Sequence, residues 1–465
     1  MIAVHSETVE PVRRYGLGHF LSKFNIQTGE SEVALVYGDG KAGEKNIVRV
    51  QINEMGERLE GAIHIGGETY PIFETPKKIE IRGEVIAHFS NGLDEYPVIV
   101  RTGDGIEIGF DIFNEVGHLL SGFMERYWPA STKVGDYLAR TPVVDIYEKI
   151  LMDCIKKLAT EANINIKQKE LWPGNKRFAL GLSHDVDLYR KTIQYFSHFT
   201  KHVQEFEFRE SAKQVRDIFR VGTSNPYWNF DKMMAIEESF GVKSSIYFLD
   251  QRRSSWVLNL RERLLQSGAC NFSNPEIRRV IKQVSDNGWE VGLHQSFDSY
   301  KNEKLLKREK EELEKITKKE ITGVRQHYLK VDIPDIWLAQ GGAGFSYDST
   351  IGFTTTIGFR AGTSFPFMAF DAKAGKELNL LEIPLIIMER EVLAKDSDPW
   401  DTCRDMIDTI EKYNGLLTIL WHQRFFNEDE FPGYAELYKK IIEYCQKRGA
   451  WVAPLDEIYR WWVSR

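Results

Sequence analysis

Beyond Lys176 in this chain, ionisable side chains gather where short apolar runs end. One run closes with Ser183-His184-Asp185-Val186-Asp187, another with His294-Gln295-Ser296-Phe297-Asp298, a third with Arg325-Gln326-His327-Tyr328 and a fourth with Trp421-His422. Taken singly, each has an ordinary explanation: an aspartate after a strand caps a turn or helix, and a histidine there is commonly a hydrogen-bonded core residue. Repetition changes the reading, because buried unpaired charge is costly and a purely structural protein has little use for several such groups at one rim. His294, His327 and His422 each end a separate run, with Asp185 and Asp187 at the end of another.

Imidazole and carboxylate together suit Zn²⁺ above all, with Co²⁺, Mn²⁺ or Ni²⁺ as alternatives, and the lack of cysteine partners argues against a structural zinc of the finger type. With one coordination position open, such a site acidifies water and polarises a carbonyl oxygen, as hydrolysis of an amide or ester requires. A carboxylate outside the metal shell then serves as general base, and an imidazole opposite it protonates the leaving amine.

These groups need a scaffold that brings strand ends together. Beyond Lys176, apolar runs at 178–183, 244–249, 290–294, 321–325, 345–347, 378–387, 416–422 and 451–454 alternate with helical segments at 230–240, 275–286, 303–318, 402–413 and 434–448. That alternation predicts a parallel α/β sheet, and seven or eight such units predict a (β/α) barrel, whose active-site residues lie at the C-terminal strand ends; a doubly wound sheet is the competing arrangement. The preceding residues read as a smaller, mostly β, α+β domain. Its short strands at 32–37, 46–53, 61–65 and 97–101 precede helical patterns at 111–127 and 143–162. The expected division is 1–170 and 175–465, at the polar stretch before Trp172-Pro173-Gly174.

A chain of 465 residues has room for an enzyme and an accessory module. The net charge of -7 gives no overall attraction to nucleic acid. The four cysteines, scattered without a C-x-x-C pair, suggest a reducing compartment. The start of the chain lacks the apolar core of a secretion signal, and no apolar run is long enough to span a membrane. A cytoplasmic location is the expectation, and the oligomeric state is open. Gly38-Asp39-Gly40-Lys41-Ala42-Gly43 matches a phosphate-loop pattern, but a strand is expected after it where that chemistry needs a helix.

The order of these segments resembles the polysaccharide deacetylases of carbohydrate esterase family 4. Ser183 to Asp187, Glu290 to Ser296, the Arg325 segment, Gly344 to Thr350, Leu381 to Pro384 and Ile419 to His422 look like that family's successive motifs, over about 280 residues. The likeness is greatest to members with a His-Asp-Val-Asp first motif, a Gly-Phe-Arg-x-Gly-Thr segment, here Gly358 to Thr363, and an additional N-terminal domain. The resemblance implies a deacetylase barrel with Asp185 as general base, Asp187 and His294 as metal ligands, Arg325 orienting the base, and His422 as general acid. Val186 separates two aspartates that are usually adjacent, so the roles of Asp185 and Asp187 are open to exchange. Asp298 stands where a second ligand histidine is usual; either Asp298 or His327 completes the shell, and His327 is preferred.

Tyr328, Arg360 and Trp421 are candidates to line a substrate groove, since aromatic faces pack on sugar rings. The expected reaction is removal of an acyl group, acetyl in the first place, from the amine of a sugar or sugar conjugate. The alternatives are hydrolysis of a non-sugar C–N bond on the same fold, or a metal-free carbohydrate-binding protein.

Overall fold

The computed structural model describes residues 2–6, 10–38, 46–55, 59–127, 138–166, 168–192, 225–251, 268–393 and 398–465. Two sheets organise them. The first is mixed and eight-stranded: β1 (Ala3–Ser6), β2 (Ala34–Tyr37), β3 (Ile47–Val50), β4 (Gly61–Ile65), β5 (Glu68–Ile72), β6 (Val85–Ser90), β7 (Glu95–Arg101) and β8 (Gly105–Ile108). The order is β1-β2-β3-β8-β7-β6-β4-β5, parallel from β1 to β8 and antiparallel beyond. Helices Pro11–Lys23, Ile112–Leu120, Phe123–Tyr127 and Val143–Glu161 accompany it. The phosphate-loop pattern lies largely outside the described residues, and the element that follows it is the strand β3.

The second sheet has ten strands: β9 (Ala179–Val186), β10 (Ser245–Leu249), β11 (Glu290–Gln295), β12 (Gly323–Gln326), β13 (Tyr347–Asp348), β14 (Phe367–Asp371), β15 (Lys376–Glu382), β16 (Ile387–Met388), β17 (Leu416–Leu420) and β18 (Trp451–Pro454). All neighbours are parallel except β14 against β15. The sheet curls. β15 pairs with β13 near one end and β16 with β17 at the other, although only four residues, Ile383 to Ile386, separate β15 from β16. This is the expected α/β architecture, a curled parallel sheet beside a smaller mixed one. The run at 378–387, expected as one strand, divides around Pro384, which has no N–H for a sheet ladder.

Burial on both faces explains why β9, β10 and β17 read as near-continuous apolar runs: every residue of each is buried. Helices on the outer face are amphipathic. Pro275–Asp286 buries Ile277, Val280, Ile281 and Val284 at helical spacing, and Asn274 caps it by accepting from the Glu276 N–H. Hydrophobic packing is continuous through both sheets. Among the described residues, no helix is long and apolar enough to cross a membrane.

Candidate metal centre

Parallel register places the ionisable strand ends side by side. His294 on β11 pairs with Arg325 on β12 and with Leu249 on β10, while β10 also pairs with β9. Along β9, side chains alternate, so Asp185 and Asp187 share one side and His184 takes the other. His184 is buried between the Trp421 carbonyl and Glu237 Oε1, 2.7 Å from its Nε2, and takes no part in the centre.

Asp187 is the hub. Its Oδ1 lies 3.1 Å from His294 Nε2 and 3.7 Å from His327 Nε2, and its Oδ2 lies 3.2 Å from His422 Nε2 and 3.4 Å from Arg424 Nη1. Among the described residues, Asp187, His294 and His327 form the one group of three whose ligand atoms lie together closely enough to hold a metal ion. Asp298, the other residue considered for the shell, is exposed and stands outside that group.

The donor set fits a divalent cation. Asp187 Oδ1 is buried and accepts no hydrogen bond, despite its two imidazole neighbours. His294 Nδ1 lies 3.0 Å from the Arg325 carbonyl, which can only accept, so Nδ1 carries a hydrogen and the neutral ring turns the Nε2 lone pair toward Asp187. Two electron-pair donors 3.1 Å apart repel unless positive charge stands with them, as a proton on the ring or a metal ion. Ionisation follows the same logic. Burial works against charge on His294, yet Asp185 and Asp187 raise its pKa. Burial also works against ionisation of Asp187, but His422, His294 and His327 hold its carboxyl well below the usual range. Burial pushes His327 down to about 4, keeping that ring neutral, the form that ligates metals.

Asp185 sits beside this group rather than within it. Arg325, fully buried, donates from Nη1 to Asp185 Oδ1 at 2.9 Å, while its Nε and Nη2 donate to the Ser349 carbonyl and hydroxyl at 2.9 and 3.0 Å. Its guanidinium also lies 4.6 Å from the centre of the Tyr247 ring. Each nitrogen of the guanidinium is therefore engaged, which fixes the group that holds Asp185 Oδ1. Opposite, Glu389 Oε1 is 2.6 Å from His422 Nδ1; burial disfavours charge on this ring, but Glu389 raises its pKa to about 9.

Sequence reading did not find Glu389 or Arg424, and it left Ser349, inside the Gly344 to Thr350 motif, without a role. Glu389 directly follows β16 as His422 closely follows β17, so the same strand-end signal was present, in a strand of only two residues. The three groove candidates part company. Tyr328 is 68% exposed and stacks on His327, 3.9 Å between ring centres. Trp421 does not line a groove: it is fully buried against Tyr434 and Tyr438, because alternation past β17 turns His422 to the centre and Trp421 away. Arg360 is likewise not free for a ligand. Glu125 holds it through two contacts, and its Nη1 donates to the carbonyls of Leu329 and Gly352 at 3.0 and 2.6 Å.

No family model and no curated protein matches the chain. Solved structures resemble part of it. A Mycobacterium smegmatis protein assigned as a polysaccharide deacetylase is 16% identical over 63% of this chain and 92% of its own, with a TM-score of 0.40. The Puue allantoinase is 15% identical over the same shares, with a TM-score of 0.41. A Bacillus anthracis pseudoenzyme of carbohydrate esterase family 4 is 11% identical over 61% of this chain and 66% of its own, with a TM-score of 0.30. Likeness at this level leaves function to be read from the side chains.

Proposed function

We propose that this protein is a divalent-metal-dependent hydrolase that removes an N-acyl group, acetyl in the first place, from a sugar or sugar conjugate. The observation that carries this reading is the convergence of Asp187, His294 and His327 beside an aspartate locked by arginine and a histidine backed by glutamate. When bound, a divalent ion supplies Lewis acidity and a more acidic water. Zn²⁺ is the expected ion for one carboxylate and two imidazoles.

The chain's own groups divide the proton transfers. Asp185 keeps Oδ1 on Arg325, leaving Oδ2 to take a proton from the attacking water as its oxygen bonds to the acyl carbon. His422 is protonated at neutral pH, with one N–H fixed on Glu389, and delivers the Nε2 proton to the nitrogen as the C–N bond breaks. The products are a carboxylate and a free amine. Tyr328, exposed and stacked on His327, offers its outer aromatic face to a sugar ring.

Four buried, unpaired cysteines support a reducing, cytoplasmic setting, which favours a precursor, such as a nucleotide sugar, a lipid-linked sugar or a surface-polysaccharide intermediate, over finished wall polymer. We assign residues 1–170 to an accessory domain and 175–465 to the catalytic one.

The test is a panel of N-acetyl sugars, nucleotide sugars and simple cyclic amides, with free acetate, formate and amine measured separately on Zn²⁺-loaded protein. Acetate with stoichiometric amine from a sugar supports the proposal. Turnover confined to cyclic amides would transfer the site to non-sugar C–N bonds, and failure to take up Zn²⁺ with no turnover of any member would favour the metal-free carbohydrate-binding protein. His294→Ala is expected to lose the metal, and full occupancy in that variant would remove His294 from the ligand set.

A further inference from the structure

His327 differs from the other two histidines of the centre in how it is held. His294 Nδ1 is fixed on the Arg325 carbonyl and His422 Nδ1 on Glu389, but His327 Nδ1 is buried without a hydrogen-bond partner. Its ring is therefore placed by its backbone, by the Tyr328 ring stacked on it and by the edge of the His294 ring, with no hydrogen bond at Nδ1 to fix it. That backbone is unusual. Tyr328 and Leu329 both have positive φ, 62° and 47°, a conformation that a leucine adopts only when its surroundings enforce it.

The Leu329 side chain is buried with Leu385, Met388 and Leu420 of the curled sheet, while its carbonyl is held from the first sheet's side of the molecule. Arg360 donates to the Leu329 carbonyl, and Glu125, on the helix Phe123–Tyr127, takes the Arg360 guanidinium through both carboxylate oxygens, with Oε2 2.7 Å from Nη2. This pair is largely shielded from water, and a two-point arginine–carboxylate contact fixes direction as well as charge. The backbone on either side of Arg360 is tied to the same region: the Phe359 N–H donates to the Ala139 carbonyl at 2.6 Å and the Val144 N–H to the Gly362 carbonyl at 2.9 Å. Gly358, at φ 133°, has no room for a Cβ, which would fall 2.0 Å from the Ala139 oxygen. The turn before the Glu125 helix reaches the far end of the His327 loop, where a Cβ on Gly122 would meet Ile333 at 2.9 Å.

We propose that Glu125 and Arg360 are positioning residues for the third metal ligand, so that the accessory domain completes the metal centre from outside the curled sheet. This rests on the metal-dependent reading above. Arg360 then acts through the Leu329 carbonyl on His327, and Glu125 acts through Arg360, although neither touches metal or substrate.

The experiment is Zn²⁺ affinity of the full-length protein, by competition with a chromophoric chelator, for wild type, Glu125→Gln, Arg360→Lys, His327→Ala and the double variants with His327→Ala. Each positioning variant is expected to weaken Zn²⁺ about 10-fold, the usual effect of losing a group that orients a ligand. Neither should weaken it further once His327 is alanine, because the effect passes through that ring. Arg360→Lys keeps the charge and guards against a variant that fails to fold, and each variant's urea midpoint verifies folding. Unchanged affinity in both variants, or equal losses with and without His327, would overturn the positioning role while leaving the metal centre standing. Failure of wild type to take Zn²⁺ would instead overturn the metal-dependent reading and this inference with it.

Discussion

Two buried clusters in this molecule combine histidine with a pair of carboxylates, and they differ in what balances the charge. Beside the first sheet, Lys23 Nζ lies 3.1 Å from Asp145 Oδ1 and 2.7 Å from Glu148 Oε2, with His19 Nε2 3.6 Å from Glu148 Oε1. Asp145 also accepts from the Thr363 hydroxyl and from the Ser364 N–H and hydroxyl. Burial, aided by Lys23 and Arg465, drives His19 down to about 3. At the strand ends, by contrast, no ammonium is in contact with either aspartate among the described residues. Two guanidiniums serve Asp185 and the far oxygen of Asp187, and three imidazoles turn toward Asp187. Buried carboxylates with histidine are thus a weak sign of a metal. Imidazoles converging on one buried carboxylate oxygen, as His294 and His327 do on Asp187 Oδ1, are a stronger one.

The difference is open to attack from both sides, and the largest effect belongs to the first cluster. Lys23→Met leaves two buried carboxylates uncompensated and is expected to cost about 3–5 kcal/mol of stability, read from urea unfolding. Metal per folded molecule should stay stoichiometric. Loss of metal in that variant would mean the clusters are not independent. Next, Asp185→Asn is expected to retain metal while lowering turnover about 10²-fold, about 2.7 kcal/mol in the barrier. If metal is lost instead, Asp185 and Asp187 exchange roles.

Residues that mark a site by strand-end position were legible in the sequence because buried parallel strands read as apolar runs and their ends are visible. Asp185, Asp187, His294, His327 and His422 all surfaced in that way, and the curled α/β sheet that assembles them followed from the alternation of runs and helices. Trp421 was misjudged because the run continued past the strand's end, and period-two alternation, applied one residue further, turns it inward. Glu125 lies 235 residues from Arg360, and nothing local to either announces the other. The helix Pro11–Lys23 also escaped notice. Its packing relies on glycines, since a Cβ on Gly16 would fall 2.0 Å from the Phe113 carbonyl oxygen and one on Gly117 2.2 Å from that of Val12. A close backbone approach leaves no apolar periodicity to read.

The smallest effect sharpens the contrast through pH. His19 is held neutral in the fold, with a pKa of about 3 against its usual 6.5, so between those values the unfolded chain binds more protons. Stability from this group therefore falls as pH is lowered through that window. Relative to His19→Gln, the wild type should lose about 1–2 kcal/mol more between roughly pH 7 and 5, measured as urea unfolding at both values. Parallel losses in the two proteins would show that His19 is not held neutral beside Glu148 and Lys23.

The most direct test of the central claim is elemental analysis of wild type, His327→Ala and Asp298→Ala, each stripped and then loaded with Zn²⁺. The geometry predicts near-stoichiometric metal in wild type and Asp298→Ala, with His327→Ala depleted. Metal kept in His327→Ala but lost from Asp298→Ala, or taken up by none of the three, would contradict a centre built on Asp187, His294 and His327.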